Sequence, residues 1–180
     1  MLENRIYMQQ YAMLFGTYLG AFLIVAFLML LSGMHFPFGL FLFVGFTLVS
    51  PFLAYFLTRL YRDRVCDGQL SFGQGWLFVV MMYMFAALLV AAAYYIYFRY
   101  IDGGAMMQFM EGQLELMRNT YTEETMPGIT NLLAQYRTML DEVAALRPVD
   151  IAIGQLSSNF FFGVLLGIPI AWIAKRQNNP

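Results

Sequence analysis

IYMQQYAMLFGTYLGAFLIVAFLMLLSGMHFPFGLFLFVGFTLVSPFLAYFLT, residues 6–58, contains no Asp, Glu, Lys or Arg. Its one interruption is Ser32-Gly33-Met34-His35-Phe36-Pro37, a cluster of turn formers. A lipid core about 30 Å thick needs roughly 20 apolar residues per helix, and the stretch holds two such lengths around one turn. It reads as a membrane-spanning hairpin over residues 11–31 and 38–57, with Pro51 bending the second helix near its end. The first span is too long for a signal peptide and no small-x-small cleavage site follows it, so it reads as an uncleaved span.

Two more spans lie downstream. Residues 72–98 form the third, and Ser71 followed three residues later by Gln74 has the form of a capping box that starts it. Residues 148–173 form the fourth, the most polar, with Gln155, Ser157, Ser158 and Asn159 in its first half and Lys175-Arg176 stopping it. The whole chain of 180 residues agrees: it is 61% hydrophobic and 12% charged, with a mean hydropathy of +0.63, well beyond an ordinary soluble domain. The fold class is therefore all-α, a polytopic membrane protein forming one membrane domain over residues 1–180. Ten Lys and Arg against eleven Asp and Glu give a net charge of -1, which argues against the basic surface that nucleic acid requires. A single cysteine, Cys66, permits no intramolecular disulfide.

Basic residues decide how such a chain threads. Arg5, the segment with Arg59, Arg62 and Arg64, and the tail with Lys175 and Arg176 belong together on the cytoplasmic side. Residues 99–147 hold four arginines but seven acids, with Asp150 just beyond, and belong outside. Both termini are then cytoplasmic. In residues 103–147 the apolar positions recur at helical spacing. Met106, Phe109, Met110, Leu114 and Met117 make one stripe, and Leu132, Leu133, Tyr136, Met139, Leu140 and Val143 another, with Met126-Pro127-Gly128 between them. The segment reads as an extracytoplasmic amphipathic helical hairpin between spans three and four, and its acid excess favours a cap on the bundle over adhesion to anionic lipid.

Helices in lipid associate through close packing, which small residues permit. Gly16-x-x-x-Gly20 and Gly163-x-x-x-Gly167 lie at matching depths, so spans one and four are expected to cross at these glycines. Tyr11, Tyr55, Trp76, Tyr97, Tyr100 and Trp172 stand where spans meet water and read as interfacial anchors.

Groups that carry chemistry are sparse. The sequence offers no paired histidines, no Ser-His-Asp set and no zinc spacing, and Gly68-x-x-x-x-Gly73-Gln74 lacks the lysine of a phosphate-gripping loop. No catalytic, cofactor or metal residue is assigned, and the chain reads as no enzyme. The most distinctive polar patch is Tyr61-Arg62-Asp63-Arg64-Val65-Cys66-Asp67-Gly68, where Arg62, Asp63 and Arg64 suit a cytoplasmic partner or a lipid phosphate; headgroup anchoring explains them as well. Gln74, Gln155, Ser158 and Asn159 would line a polar pocket, although interhelical hydrogen bonds account for them too. Met106, Met107, Met110, Met117, Met126 and His35 offer soft ligands to Cu(I), against the plainer role of methionine as an adaptable packing residue.

Arg62-Asp63, Gly68, Ser71-Phe72 and Gly75, followed by Tyr95-Ile96-Tyr97-Phe98 and Ile101-Asp102, resemble the bacterial membrane family called domain of unknown function 4199, over nearly the whole chain. Gly103 stands where that family usually has proline, and Asp102 is kept as a cap for the outer helix. The resemblance implies an inner-membrane protein of bacteria with two membranes, of no established activity, often encoded beside a lipid-linked-sugar glycosyltransferase. The combined expectation is a non-enzymatic scaffold or accessory subunit, linked to envelope metabolism, whose partners are membrane lipids, a membrane or cytoplasmic protein, or a second copy of the chain. A small transporter or lipid flippase using the polar face of span four is the competing reading, and copper handling through outer Met and His a remote one.

Overall fold

The computed structural model describes residues 2–176, with side chains from Tyr7 onward, so the side chain of Arg5 lies outside the described residues. Six helices follow in order: α1 (Leu2–Ser32), α2 (Phe38–Val65), α3 (Phe72–Ile96), a π-helical turn (Tyr97–Ile101), α4 (Ala105–Thr120), α5 (Ile129–Ala144) and α6 (Pro148–Ala174). Four stretches, Tyr7–Ser32, Phe38–Val65, Phe72–Ile101 and Pro148–Ala174, are long and apolar enough to cross a membrane, which marks the chain as a membrane protein. The chain divides into two compact units, Met1–Tyr94 with Ala152–Pro180, and Tyr95–Ile151.

In the first unit α1 and α2 pair through the turn the sequence predicts. Gly39 is required there, because a Cβ on it would lie 2.6 Å from the amide nitrogen of Gly33. Pro51 lies inside α2 and brings no N–H to the carbonyl of Thr47 four residues back. The Ser50 hydroxyl donates to that carbonyl at 2.9 Å, which satisfies a group that lipid could not. The helix then runs two turns further than residues 38–57. Thr58 bonds back to Ala54, and Arg59 pairs with Asp63 one turn on, so polar residues continue the helix where the sequence suggests a loop. It ends at Asp67 and Gly68, both with positive φ, as the Gly68 N–H reaches back to the Arg62 carbonyl at 3.0 Å.

The core of this unit gathers on α3, where Phe78, Val79, Met82 and Ala86 are fully buried beside Leu19 of α1 and Ala54 of α2. The glycine motifs explain the closeness, and their partner differs from the expected one. A Cβ on Gly16 would fall 2.7 Å from the Met82 carbonyl oxygen and the Phe85 Cβ, and one on Gly20 3.2 Å from the Ala86 Cα. A Cβ on Gly163 would overlap Tyr83, and one on Gly167 would meet the Trp76 ring at 3.0 Å. Both motifs therefore face α3 and not each other. A groove of small residues gains more dispersion contact from a ring or an alanine that fills it than from a second groove. Trp76 is accordingly no simple anchor: its ring covers Gly167 and its Nε1–H donates to the Val164 carbonyl at 3.2 Å. Tyr11 packs on Phe15 and Tyr61, and Tyr97 is buried. Trp172, 64% exposed with the Lys175 ammonium 5.8 Å over its ring, and Tyr100 keep the surface positions of anchors.

In the second unit α4 and α5 form a hairpin. The Asp102 carboxylate accepts from the N–H groups of Gly104 and Met106, each at 3.0 Å, and so caps α4 as the sequence suggests. Glu123 does the same for α5, accepting from the N–H groups of Gly128 and Thr130 at 2.9 Å. The inner face of α5 is Ile129, Leu133, Tyr136 and Leu140, whereas Leu132 and Met139 of the expected stripe are exposed, Met139 to 62%. A helical face follows i, i+4, i+7 and i+11, and Ile129, outside the sequence-derived stripe, sets its phase.

Candidate functional site at the α2–α3 turn

The last two turns of α2 carry Arg59, Tyr61, Arg62 and Asp63, and α3 begins again after a turn of six residues (66–71). The predicted capping box closes the second side of that turn: the Ser71 hydroxyl accepts from the Gln74 backbone N–H at 3.3 Å, and the Gln74 side-chain Oε1 accepts from the Ser71 backbone N–H at 3.2 Å. Leu70 forms a two-bond antiparallel bridge with Arg176, its N–H donating at 2.9 Å and its carbonyl accepting at 3.1 Å. The turn is thus stitched to the chain just beyond α6.

Arg62 completes the stitch. It is 9% exposed; its Nη1 donates to the Ala174 carbonyl at 3.0 Å and its Nε to Asp63 at 2.7 Å. Ala174 is the last residue of α6, where carbonyls lack intrahelical partners and the helix dipole is negative. A buried guanidinium placed there ties two helices together. Of the patch Arg62, Asp63 and Arg64, only the last two are exposed, and Asp63 is taken up by Arg62 and Arg59. The reading of Arg62 as a contact for a partner or lipid phosphate is therefore corrected. Its neighbour Arg59, exposed on the same turn, is the residue the sequence reading left out of the patch.

Beside this stitch lies a cavity of about 670 Å³, a feature the sequence analysis missed because its walls come from three separate segments. Tyr7 and Met8 of α1 form one wall, Tyr61 and Val65 of α2 another, and the turn with the start of α3 a third. Cys66 lines it as a half-buried free thiol. Burial pushes that thiol upward, the Tyr61 hydroxyl opposes the shift by hydrogen bonding, and the charge of Asp67 adds to it. The thiol is held protonated at neutral pH, which does not suit a nucleophile.

The four residues expected to share a polar pocket do not come together as one set. Gln74 serves the capping box at the start of α3. Gly75 meets Ala171 and Tyr83 meets Gly163, so Gln155 lies level with Ala91, about 25 Å along the axis from Gln74 at 1.5 Å per residue. Asn159 donates to the Gln155 carbonyl at 3.1 Å within α6, and Ser158 is exposed. In the second unit Met106, Met107 and Met110 line a mainly apolar cavity of about 220 Å³ with Phe98, Val143 and Leu146; Met117 and Met126 are not among its lining. His35 belongs to the other unit, in the turn after α1.

The family model described as Protein of unknown function (DUF4199) matches residues 14–176. No curated protein and no solved structure matches the chain.

Proposed function

The chain belongs to the family described as Protein of unknown function (DUF4199), and on that footing we propose that it works as a non-enzymatic scaffold or accessory subunit of a membrane assembly. The observation that carries this reading is the way α3 is held. Gly16 of α1 and Gly163 of α6 contact it too closely to admit a Cβ, and Arg62 and Leu70 bind the α2–α3 turn to the end of α6. A bundle packed and clasped in this way is suited to keeping its shape while presenting surfaces. One surface is the end that carries exposed Arg59 and Arg64; the other is the acidic α4–α5 hairpin.

We place the protein in a bacterial inner membrane with both termini in the cytoplasm and the α4–α5 hairpin outside. Support comes from charge: Arg59, Arg62, Arg64, Lys175 and Arg176 gather where the α2–α3 turn meets the end of α6, and basic residues favour the cytoplasmic side. Its partners would be membrane lipids together with an envelope-building membrane or cytoplasmic protein, or a second copy. Purification of the tagged full chain in mild detergent tests the proposal. A stoichiometric partner or a defined oligomer is the expected result, and a lone monomer at every step contradicts it.

A second reading, a transporter or lipid flippase, draws support from Ser157 and Ser158, which are exposed on a helix long and apolar enough to cross a membrane. Flux through proteoliposomes that falls on Ser158→Leu substitution would favour it over the scaffold.

A further inference from the structure

The cavity beside the α2–α3 turn stands at the ends of three candidate spans. Tyr7 begins the first, Val65 ends the second and Gly73 is one residue inside the third. Whichever way the chain is threaded, that depth is where lipid headgroups meet water. Part of the cavity lining is apolar, with Met8, Val65, Leu70 and Leu77. Among these apolar groups the lining also carries the polar groups of Tyr7, Tyr61, Asp67, Gln69 and Gln74. Such a mixed lining suits an amphiphile, whose polar head and first acyl methylenes can each find partners in it.

The charge of the head follows from the two carboxylates of this region. Asp63 is satisfied by Arg62 at 2.7 Å and Arg59 at 3.5 Å. Asp67 forms no ion pair among the described residues, and among those residues it is the one charged side chain lining the cavity. Its field reaches inward, since it contributes to raising the Cys66 thiol. Tyr61 is 5% exposed and has a ring face covered by Phe78, with centroids 4.0 Å apart and planes at 6°, whereas Tyr7 is 49% exposed and offers its ring to the cavity. A carboxylate beside an accessible tyrosine ring attracts an ammonium ion both by charge and by the negative ring face. A headgroup with no cation beyond its phosphate would meet Asp67 with repulsion alone.

We propose that this cavity seats the ammonium headgroup of an aminophospholipid, with Asp67 as its counter-charge and Tyr7 as its aromatic wall. The assignment stands apart from the scaffold reading and survives its failure. Native mass spectrometry of the full chain in detergent, given phosphatidylethanolamine or phosphatidylglycerol, reads the lipid retained. About tenfold preference for phosphatidylethanolamine is expected, from one partly exposed ion pair and one cation–π contact. Asp67→Asn and, on a separate element, Tyr7→Leu should each weaken that preference severalfold at an unchanged melting temperature. Equal retention of the two lipids, or a preference untouched by both substitutions, overturns the proposal. Displacement of the lipid by an equal concentration of free ethanolamine would overturn the lipid assignment in favour of a soluble amine.

Discussion

Arg62 and Arg64 sit two positions apart on the same helix and have opposite fates. Arg62 turns inward to the end of α6, with a side chain 11% exposed, while Arg64 faces outward. Arg62→Leu should destabilise the bundle by about 2 kcal/mol, from a lost charged hydrogen bond to a buried carbonyl, discounted because its second partner Asp63 is 42% exposed. Arg62→Lys should restore only part of it, since an ammonium cannot reproduce the two-sided fork, and Arg64→Gln should change little. Thermal unfolding in one detergent compares all three. Asp67 differs again, with φ +49 in the left-handed region. Asp67→Gly should raise stability by about 1 kcal/mol through relief of that strain, so a melting temperature that falls instead would show that the carboxylate holds the turn together. Glu123 makes the one pH prediction. The Thr130 hydroxyl and the N–H groups of Gly128 and Thr130 hold its carboxyl below the usual value near 4.5. Its capping is complete above that value and is lost as pH falls through the lower folded one. Helix content lost by the hairpin in acid should lose that dependence in Glu123→Gln.

At the scale of elements, glycine position separates contact from mere presence. Gly163 on α6 admits no Cβ because Tyr83 occupies the space, whereas Gly45 on α2 has nothing within 4 Å. Gly163→Val should cost about 1–3 kcal/mol as an overpacked contact, and Gly45→Ala should be neutral or stabilise by up to about 1 kcal/mol as an improved helix former. Equal effects on unfolding would contradict the packing of α6 on α3. The same comparison explains what sequence could and could not reveal. The spacing Gly-x-x-x-Gly announces that a backbone will be approached. Which helix approaches depends on rotation and register of three helices, and no single segment encodes that. Local devices were readable because all their atoms lie within one turn: the box of Ser71 and Gln74, the Asp102 cap, the break at Pro127-Gly128. The exposed position of Met139 shows the limit even there, since a stripe drawn without Ile129 starts in the wrong phase.

For the molecule as a whole, composition alone conveys the environment. A run such as residues 6–58 without one formal charge states that it belongs in lipid, however its helices later pack. The candidate site was less legible. Arg62 looks like its exposed neighbours in sequence, and only the end of α6, 112 positions away, reveals its task. The cavity is more distant still from any motif, because Tyr7, Tyr61 and Asp67 meet only after three segments fold to one end. The central proposal is the threading: four spans whose basic ends lie in the cytoplasm, with residues 105–144 outside. Single cysteines placed at Arg64, Lys175 and Met126 in a Cys66→Ser background, probed with a membrane-impermeant thiol reagent on intact cells and on inverted vesicles, test it most directly. The account predicts that positions 64 and 175 label only from the cytoplasmic face and position 126 only from outside. Labelling of all three from one face would contradict it.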